Sequence, residues 1–412
     1  GDGDDNVSVT NTETVNLGKG NDTAIVTGEN EAHQTDVVKL SGTIETGDVY
    51  TVTVNATKAS YRVADGDTMT DVQGGLIAAL NKGAGDAVVV TAGTASDEIV
   101  IRAGAAGTLE EFQVNTYTSG EQTDASTTTL KDGSVIVTWT EQQGQDGSGQ
   151  GIYGQRYDAS GKADGGEFLV NTLTNSTQNM SSVAALETGG FVATWYSGNN
   201  NDLRGQRFND DGSMAGSEFT LGVEGGSEPS ITGLKDGGFV VTWHSSGQDG
   251  SGYGVYGQRY DVNGNAAGDE FLVNTETADS QRDPSITSLE DGGFIIAWES
   301  QGQDVDSQGD EESTSYYGVY AQRYKDNGDT DGSEFRVNTY TNSDQNNPSI
   351  TGLEDGGYVV TWQSSAQDGN SNGIYGQRYD KDSNAAGGEF QINTETSYEQ
   401  TTPDVTALLD GG

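Results

Sequence analysis

Apolar residues in this chain come in short, evenly spaced runs. From about residue 108 a five-residue run ending in tryptophan recurs at 135–139, 191–195, 239–243, 294–298 and 358–362, and these runs hold all five tryptophans. Consecutive positions are apolar, as in Phe239, Val240 and Val241. A strand apolar on both faces must be covered on both sides. A small, β-branched run precedes it (229–234, 284–289, 348–353) and leads into Asp-Gly-Gly at 236–238, 291–293 and 355–357, a hairpin signal. A Gly/Asp/Ser loop then leads to Tyr-Gly-Gln-Arg-Tyr at 256–260, with copies at 153–157, 320–324 and 375–379 and a degenerate one at 203–208. A last phrase, Glu-Phe-Leu-Val-Asn-Thr at 270–275, returns at 111–116, 167–172, 334–339 and 389–394, and in eroded form at 218–222.

Each unit therefore predicts four short strands. The tryptophans are 56, 48, 55 and 64 residues apart, so insertions fall between phrases, most visibly in the acidic loop 304–315. Four-stranded units of about 50 residues that bury both faces against like neighbours describe the blades of a β-propeller. A linear solenoid of stacked small sheets fits the same pattern. Ring closure removes the unsatisfied end faces and favours the propeller. Five units are complete. A lone fourth-strand phrase at 111–116 precedes them and a lone first strand at 402–409 follows, as expected for a piece of a longer array.

The first 107 residues differ. An acidic β segment is expected over 1–35. A small α/β module is expected over 36–107, with strands at 37–40, 50–55, 61–64, 87–91 and 98–103 and one helix at 69–81. Thr68 or Thr70 can cap that helix, and Val72, Leu76, Ile77 and Leu80 form its apolar stripe. The tandem repeats occupy 108–412. The fold class is mainly β.

Charge narrows the partners. The 412 residues carry 64 Asp and Glu against 19 Lys and Arg, a net −45. Such a chain repels phosphate backbones and anionic lipid, which argues against nucleic acid. No apolar run is long enough to span a bilayer. Cysteine is absent, which excludes disulfides and thiol catalysis and suits an extracellular protein with another staple. Cations must offset the self-repulsion, either as a diffuse atmosphere over a salt-adapted surface or as Ca²⁺ bound by carboxylates and carbonyls.

Catalytic constellations are scarce in the motifs. The two histidines, His33 and His244, are far apart; no zinc pair, nucleophile elbow or phosphate loop is present. Five of the ten arginines (Arg156, Arg207, Arg259, Arg323, Arg378) sit in the recurring third strand. A group repeated in every blade is structural, whereas a catalytic group is needed once. Their expected partners are carboxylates such as the recurring Glu167, Glu270, Glu334 and Glu389. The tryptophans are expected in the core. No single-copy carboxylate pair stands out among 64 acids, and the chain is expected not to be an enzyme.

Candidate calcium ligands are more abundant. Gly1–Val7 and Gly18–Ala24 both fit Gly-x-Gly-x-Asp-x-apolar, offering Asp2, Asp4 and Asp5, and then Asn21 and Asp22. The loops between second and third strands offer Asp146, Asp249 and Asp368, and the expanded copy Asp304 and Asp306. Oxygen side chains beside glycines can wrap a hard cation, or simply form solvated hairpin tips. The turns after the third strands are a second set, with Asp261 and Asp380 among them.

The glycine-rich nonapeptides resemble those of RTX (repeat-in-toxin) proteins. The three recurring phrases over 108–412 resemble repeats of giant RTX-type bacterial adhesins and haemolysin-type calcium-binding proteins exported by type I secretion. That resemblance implies an extracellular or cell-surface location, Ca²⁺-stabilised repeats, and adhesion or surface assembly. Its partners would be further copies of the chain or a host or cell-surface glycan or protein. The leading expectation is thus a non-enzymatic calcium-binding segment of a secreted surface protein. The alternatives are a structural subunit of a sheath, filament or surface layer, and a carbohydrate-binding or glycosidase propeller. If the loops hold calcium, excess chelator at fixed ionic strength should lower the melting temperature, and added Ca²⁺ should restore it in proportion to ln(1 + [Ca²⁺]/Kd); an unchanged melt counts for the salt-adapted surface.

Overall fold

The computed structural model describes residues 113–407, apart from 160, 200, 305–315, 370 and the side chains of 222–224, and describes eight paired strands between residues 6 and 103 as backbone. The chain divides into two compact units, Gly1–Gln113 and Val114–Gly412.

In the first unit, Asn6–Val9, Asp22–Val26, Val49–Val54 and Thr57–Arg62 form one sheet. Thr14–Leu17, Thr35–Leu40, Glu98–Ala103 and Val88–Ala92 form another. The first four strands alternate between the two sheets and pair in parallel. Val49–Val54 joins Asp22–Val26 in parallel as well, and antiparallel pairs complete each sheet. The helix expected over 69–81 lies outside the described residues.

The second unit is a β-propeller of five four-stranded antiparallel blades. Blade three is representative, with strands Gly226–Gly233, Phe239–Ser246, Tyr253–Tyr260 and Phe271–Leu272. The first strands of the other blades are Gln122–Thr129, Gln178–Ala185, Gln281–Ser288 and Gln345–Gly352. These first strands face one another around a central channel, and their small residues are what the narrow axis admits. They do not pair as a sheet. Side-chain hydroxyls bridge them instead. Ser126 Oγ accepts from the Val183 amide at 3.1 Å, and Ser182, Ser230 and Ser285 accept from Ile231, Ile286 and Ile350 at 3.2–3.3 Å. Thr128, Thr232 and Thr287 repeat the contact two residues on. Residues 403–407 run beside blade five in the same way, with the Val405 and Ala407 amides donating to Ser349 and Thr351.

Between the blades lies the core. Trp195, Trp243, Trp298 and Trp362 are fully buried and Trp139 nearly so. In blades two to five the first residue of the second strand stacks on the last residue of the third: Phe191 on Phe208 at 4.7 Å, Phe239 on Tyr260 at 5.0 Å, Phe294 on Tyr324 at 4.9 Å, Tyr358 on Tyr379 at 4.9 Å. The glycine in Tyr-Gly-Gln-Arg-Tyr makes room for the fourth-strand phenylalanine; a Cβ on Gly257 would meet the Phe271 ring at 2.5 Å.

Buried amides and acids lock each blade to the next. Asn274 in the blade-three phrase accepts from the Val255 amide at 2.7 Å and donates across to Gln281 of blade four at 3.3 Å. Asn115, Asn171, Asn338 and Asn393 repeat the amide-to-Gln contact. The recurring glutamates serve this seam and not the recurring arginines, although Glu218 also pairs with Arg204 at 3.0 Å. Glu334 accepts from the Thr275 amide and hydroxyl of the preceding blade at 2.7 and 3.0 Å, and Glu218 and Glu389 do likewise. Arg156, Arg259 and Arg378 pair with the aspartate of their own hairpin turn, Asp132, Asp236 and Asp355, at 2.7, 3.2 and 2.5 Å. Arg323 does the same with Asp291. The expected Arg–Glu pairing is thus replaced by a turn-locking Arg–Asp pair, because the third strand runs antiparallel to the second and ends beside that turn.

Trp243→Ala should lower stability by roughly 3–5 kcal/mol, as for a fully buried indole, and Asn274→Ala by about 1–3 kcal/mol through the stranded Val255 amide. Denaturant unfolding of the two variants checks both.

Candidate functional site

Each first strand carries one extra residue. In blade three, Ser227 pairs with His244 and Ser230 with Thr242, a three-residue step against a two-residue step. This is a β-bulge, a feature that re-aims a side chain. The bulge lies opposite Trp243, the residue skipped on the second strand. At the bulge the backbone turns left-handed: φ is +52° at both Glu228 and Asp283, +51° at Asn347, +53° at Asp124 and +57° at Met180, and Thr402, in the unpaired segment beside blade five, matches them at +49°. Non-glycine residues held in this region cost about 1–3 kcal/mol each and concentrate at functional sites.

These bulges ring one mouth of the channel, around a cavity of about 520 Å³. The scaffold there is repeated but the residues are not. The bulge position reads Asp124, Met180, Glu228, Asp283, Asn347 and Thr402 around the axis, and the position after the tryptophan reads Thr140, Tyr196, His244, Glu299 and Gln363. The two positions meet between neighbouring blades. The Met180 amide donates to Thr140 Oγ1 at 3.2 Å, the Asp283 amide to His244 Nδ1 at 3.4 Å, and the Asn347 amide to Glu299 Oε2 at 3.1 Å.

Blades three and four thereby assemble an ionisable cluster, with the Asn347 amide of blade five at its edge. His244 is 6% exposed. Its Nδ1 lies 3.6 Å from Glu228 Oε2 and 3.8 Å from Asp283 Oδ1, and all three ligand-type atoms lie within 4.8 Å of one another, close enough for one cation to bridge. Burial lowers the imidazole pKa, which suits a ring accepting the Asp283 N–H. Burial, then the hydrogen bond to Asp283 and that carboxylate's charge, push Glu228 up to about 9, although 41% of its side chain is exposed. Glu299 is fully buried and raised to about 7, by burial first and Asp283 second, against the opposing pull of Arg282. Arg282 Nε is 2.5 Å from Glu299 Oε1, and its guanidinium lies 4.7 Å above the Tyr317 ring. A carboxyl group that keeps its proton near neutrality beside a second carboxylate can act as a general acid.

The larger cavity, about 710 Å³, opens at the opposite mouth between the hairpin turns. There the Lys131–Glu187 and Lys235–Glu290 pairs, 2.8 and 2.7 Å, link neighbouring turns in an exposed setting. Exposed pairs of this kind do little more than hold the turns together.

The candidate calcium ligands do not converge on the cluster. Asp146, Asp249 and Asp368 lie on loops at the same end as the bulges but project from second and third strands. Asp146 and Asp249 accept from the amides of Ser148 and Ser251 through Oδ1. In each of the three, Oδ2 folds back against a glycine at or next to the start of the third strand, Gly151, Gly254 or Gly373. Asp304 is buried and accepts from Tyr320 Oη and Asn338 Nδ2, both at 2.7 Å. Asp261 and Asp380 cap their own turns through Asn265 and Asn384. Asp2, Asp4, Asp5, Asn21 and Asp306 lie outside the described residues, and Asp22 is described only as strand backbone. Glu228, Asp283 and Glu299 stand in no recurring phrase, and His244 has no histidine near it in sequence, so motif and spacing point to none of them. The available signal was the opposite one: positions where otherwise faithful repeats disagree.

No protein-family model and no curated protein sequence matches the chain. Solved structures do match in fold. A Dyadobacter fermentans protein of unknown function is similar over 68% of this chain and 84% of its own, with a TM-score of 0.50 and 10% identity. A GH93 α-L-arabinofuranosidase of Fusarium graminearum, solved with arabinobiose, covers 70% and 84% at TM-score 0.50 and 12% identity. An α-L-arabinanase of Penicillium chrysogenum, also with arabinobiose, covers 72% and 88% at TM-score 0.50 and 15% identity.

These likenesses correct two expectations. The resemblance to RTX-type adhesins and haemolysin-type calcium-binding proteins is not upheld: the propeller that the phrases encode matches arabinan-acting proteins, and the recurring residues build contacts within and between blades. The expectation of a non-enzymatic calcium-binding adhesin segment falls with it, since the fold is one that carries glycosidic chemistry in the Fusarium and Penicillium proteins.

The raised carboxyl groups fix a pH dependence. Between the unfolded value near 4.5 and the folded values near 7 and 9, the native state holds more protons than the unfolded state. Stability is therefore fully present below about pH 4.5 and declines as pH rises through 7 and towards 9. Glu299→Gln and Glu228→Gln should each flatten part of that decline in melts recorded across this range.

Proposed function

We propose that the second unit is a carbohydrate-active propeller, a glycoside hydrolase working at the bulge-lined mouth. The observation that carries this is the placing of Glu228 and Asp283, from adjacent blades, with facing carboxyl oxygens less than 4.8 Å apart at the rim of a cavity that can admit a sugar. Glycoside cleavage requires two such groups, one to protonate the leaving oxygen and one to meet the developing oxocarbenium ion. Glu228, which retains its proton, takes the first role. Asp283 takes the second, anchored through its own amide by neutral His244. Glu299 and Arg282 hold the neighbouring blade edge and keep Asp283 beside a fixed positive charge. The arabinose-containing ligands of the Fusarium and Penicillium proteins support pentose-containing glycans as the first substrates to test.

Oxygens within 4.8 Å of each other leave no room for the interposed water of an inverting pair, whose carboxyl groups stand about 6.5–9.5 Å apart. The expected product is therefore of retained anomeric configuration, read by proton NMR immediately after cleavage. Glu228→Gln and Asp283→Asn should each lower kcat on aryl arabinosides or arabino-oligosaccharides by roughly 10²–10⁴-fold with near-native melts. Full activity in both variants would remove the assignment.

A further inference from the structure

We propose, resting on that glycosidic reading, that the mouth selects uncharged glycans over anionic ones and that Tyr253 is the stacking platform for the sugar unit next to the carboxylate pair. Charge is the first ground. Four acids line the cavity, Asp124, Glu228, Asp283 and Asp404, and no lysine or arginine does. Arg282 is the cation nearest the pair, and it is engaged by Glu299 on one side and the Tyr317 ring on the other. A site for uronate, sialate or sulfated sugars requires a cation free to face the ligand's anion. Here an anion would meet carboxylates in a chain of net charge −45, and a low-dielectric cleft of one sign focuses that repulsion. Neutral sugars meet acceptors instead. Their hydroxyls can donate to the rim carboxylates, and Ser126, Ser182, Ser230, Ser285 and Ser349 line the same cavity. These serines accept backbone N–H groups through oxygen; Ser349 donates its own hydroxyl proton to Asp404 Oδ1 at 3.1 Å, and the other four can turn theirs towards a ligand.

The second ground is an aromatic ring that the core does not use. The tyrosines that close the third strands, such as Tyr260 and Tyr324, are buried, but Tyr253, which opens the third strand of blade three, is 39% exposed. It meets the His244 ring edge-on, 5.0 Å between centroids at 71°, and His244 in turn touches both members of the carboxylate pair. The corresponding ring in blade four, Tyr317, is covered by Arg282, so its face is taken. Tyr253 presents a flat apolar surface one side chain away from the reacting groups, which is where a neighbouring sugar ring of a bound oligosaccharide comes to lie.

Isothermal titration of the full chain with size-matched oligosaccharides tests both parts. Neutral arabino-, xylo- and gluco-oligosaccharides form one set; oligogalacturonate and sialyllactose form the other. At 0.15 M salt at least one neutral ligand should bind, and the anionic set should bind at least tenfold more weakly or not at all. Tyr253→Ala should weaken neutral binding by roughly tenfold, the worth of one aromatic stacking contact, with an unchanged melt. Tyr253→Phe should retain affinity within about twofold, because stacking uses the ring face and not the hydroxyl. Preferential binding of the anionic set, with turnover still lost in Glu228→Gln and Asp283→Asn, would overturn the selectivity while leaving the glycosidic reading intact. Unchanged binding in Tyr253→Ala would overturn the platform. Absence of binding and turnover with both sets would overturn this inference and the reading beneath it together.

Discussion

The propeller depends on how inner strands that cannot pair with one another satisfy their backbone. Around the axis the first strands of neighbouring blades lie side by side without forming a ladder. A buried amide without a partner costs about as much as a hydrogen bond is worth. Serine and threonine hydroxyls supply the acceptors, blade after blade, and residues 403–407 receive the same treatment. The small β-branched run before each Asp-Gly-Gly is thereby explained twice: it fits the narrow axis and it carries the oxygen that the next blade needs.

The site is a by-product of the same packing. Each blade buries an indole, and the bulge in the first strand lies across from that indole. It puts one residue per blade into a left-handed conformation at the channel mouth. The position after the tryptophan supplies a side chain that caps the bulged amide of the following blade. Core, bulge and mouth are therefore one mechanical unit, and the ionisable cluster of Glu228, His244, Asp283 and Glu299 sits where two of these units, in blades three and four, meet.

Much of the blade architecture was legible in the sequence, because strand chemistry repeats. Trp in the core, Asp-Gly-Gly hairpins, four strands per blade and the eroded second unit all follow from period and composition. The partners of Arg259 and Glu270-type residues were not, since both pairings satisfy charge and only the antiparallel register puts Arg beside the hairpin aspartate. The bulge was hidden for another reason. One extra residue shifts pairing by a single place, and Glu228-Pro229 reads simply as the start of a strand. The cluster was illegible to a search for recurring motifs, since His244 and Glu299 each occur once at a position where other blades carry Thr, Tyr or Gln.

The separation between invariant frame and variable bulge has an evolutionary consequence. Hydroxyl bridges, aromatic stacks and amide locks constrain every copy to near identity, yet none of them contacts the side chain that the bulge throws into the mouth. Each copy thus contributes one exchangeable letter to a circular word displayed at the mouth. New specificities can arise by single substitutions, or by duplication and drift of whole units, with the framework left untouched.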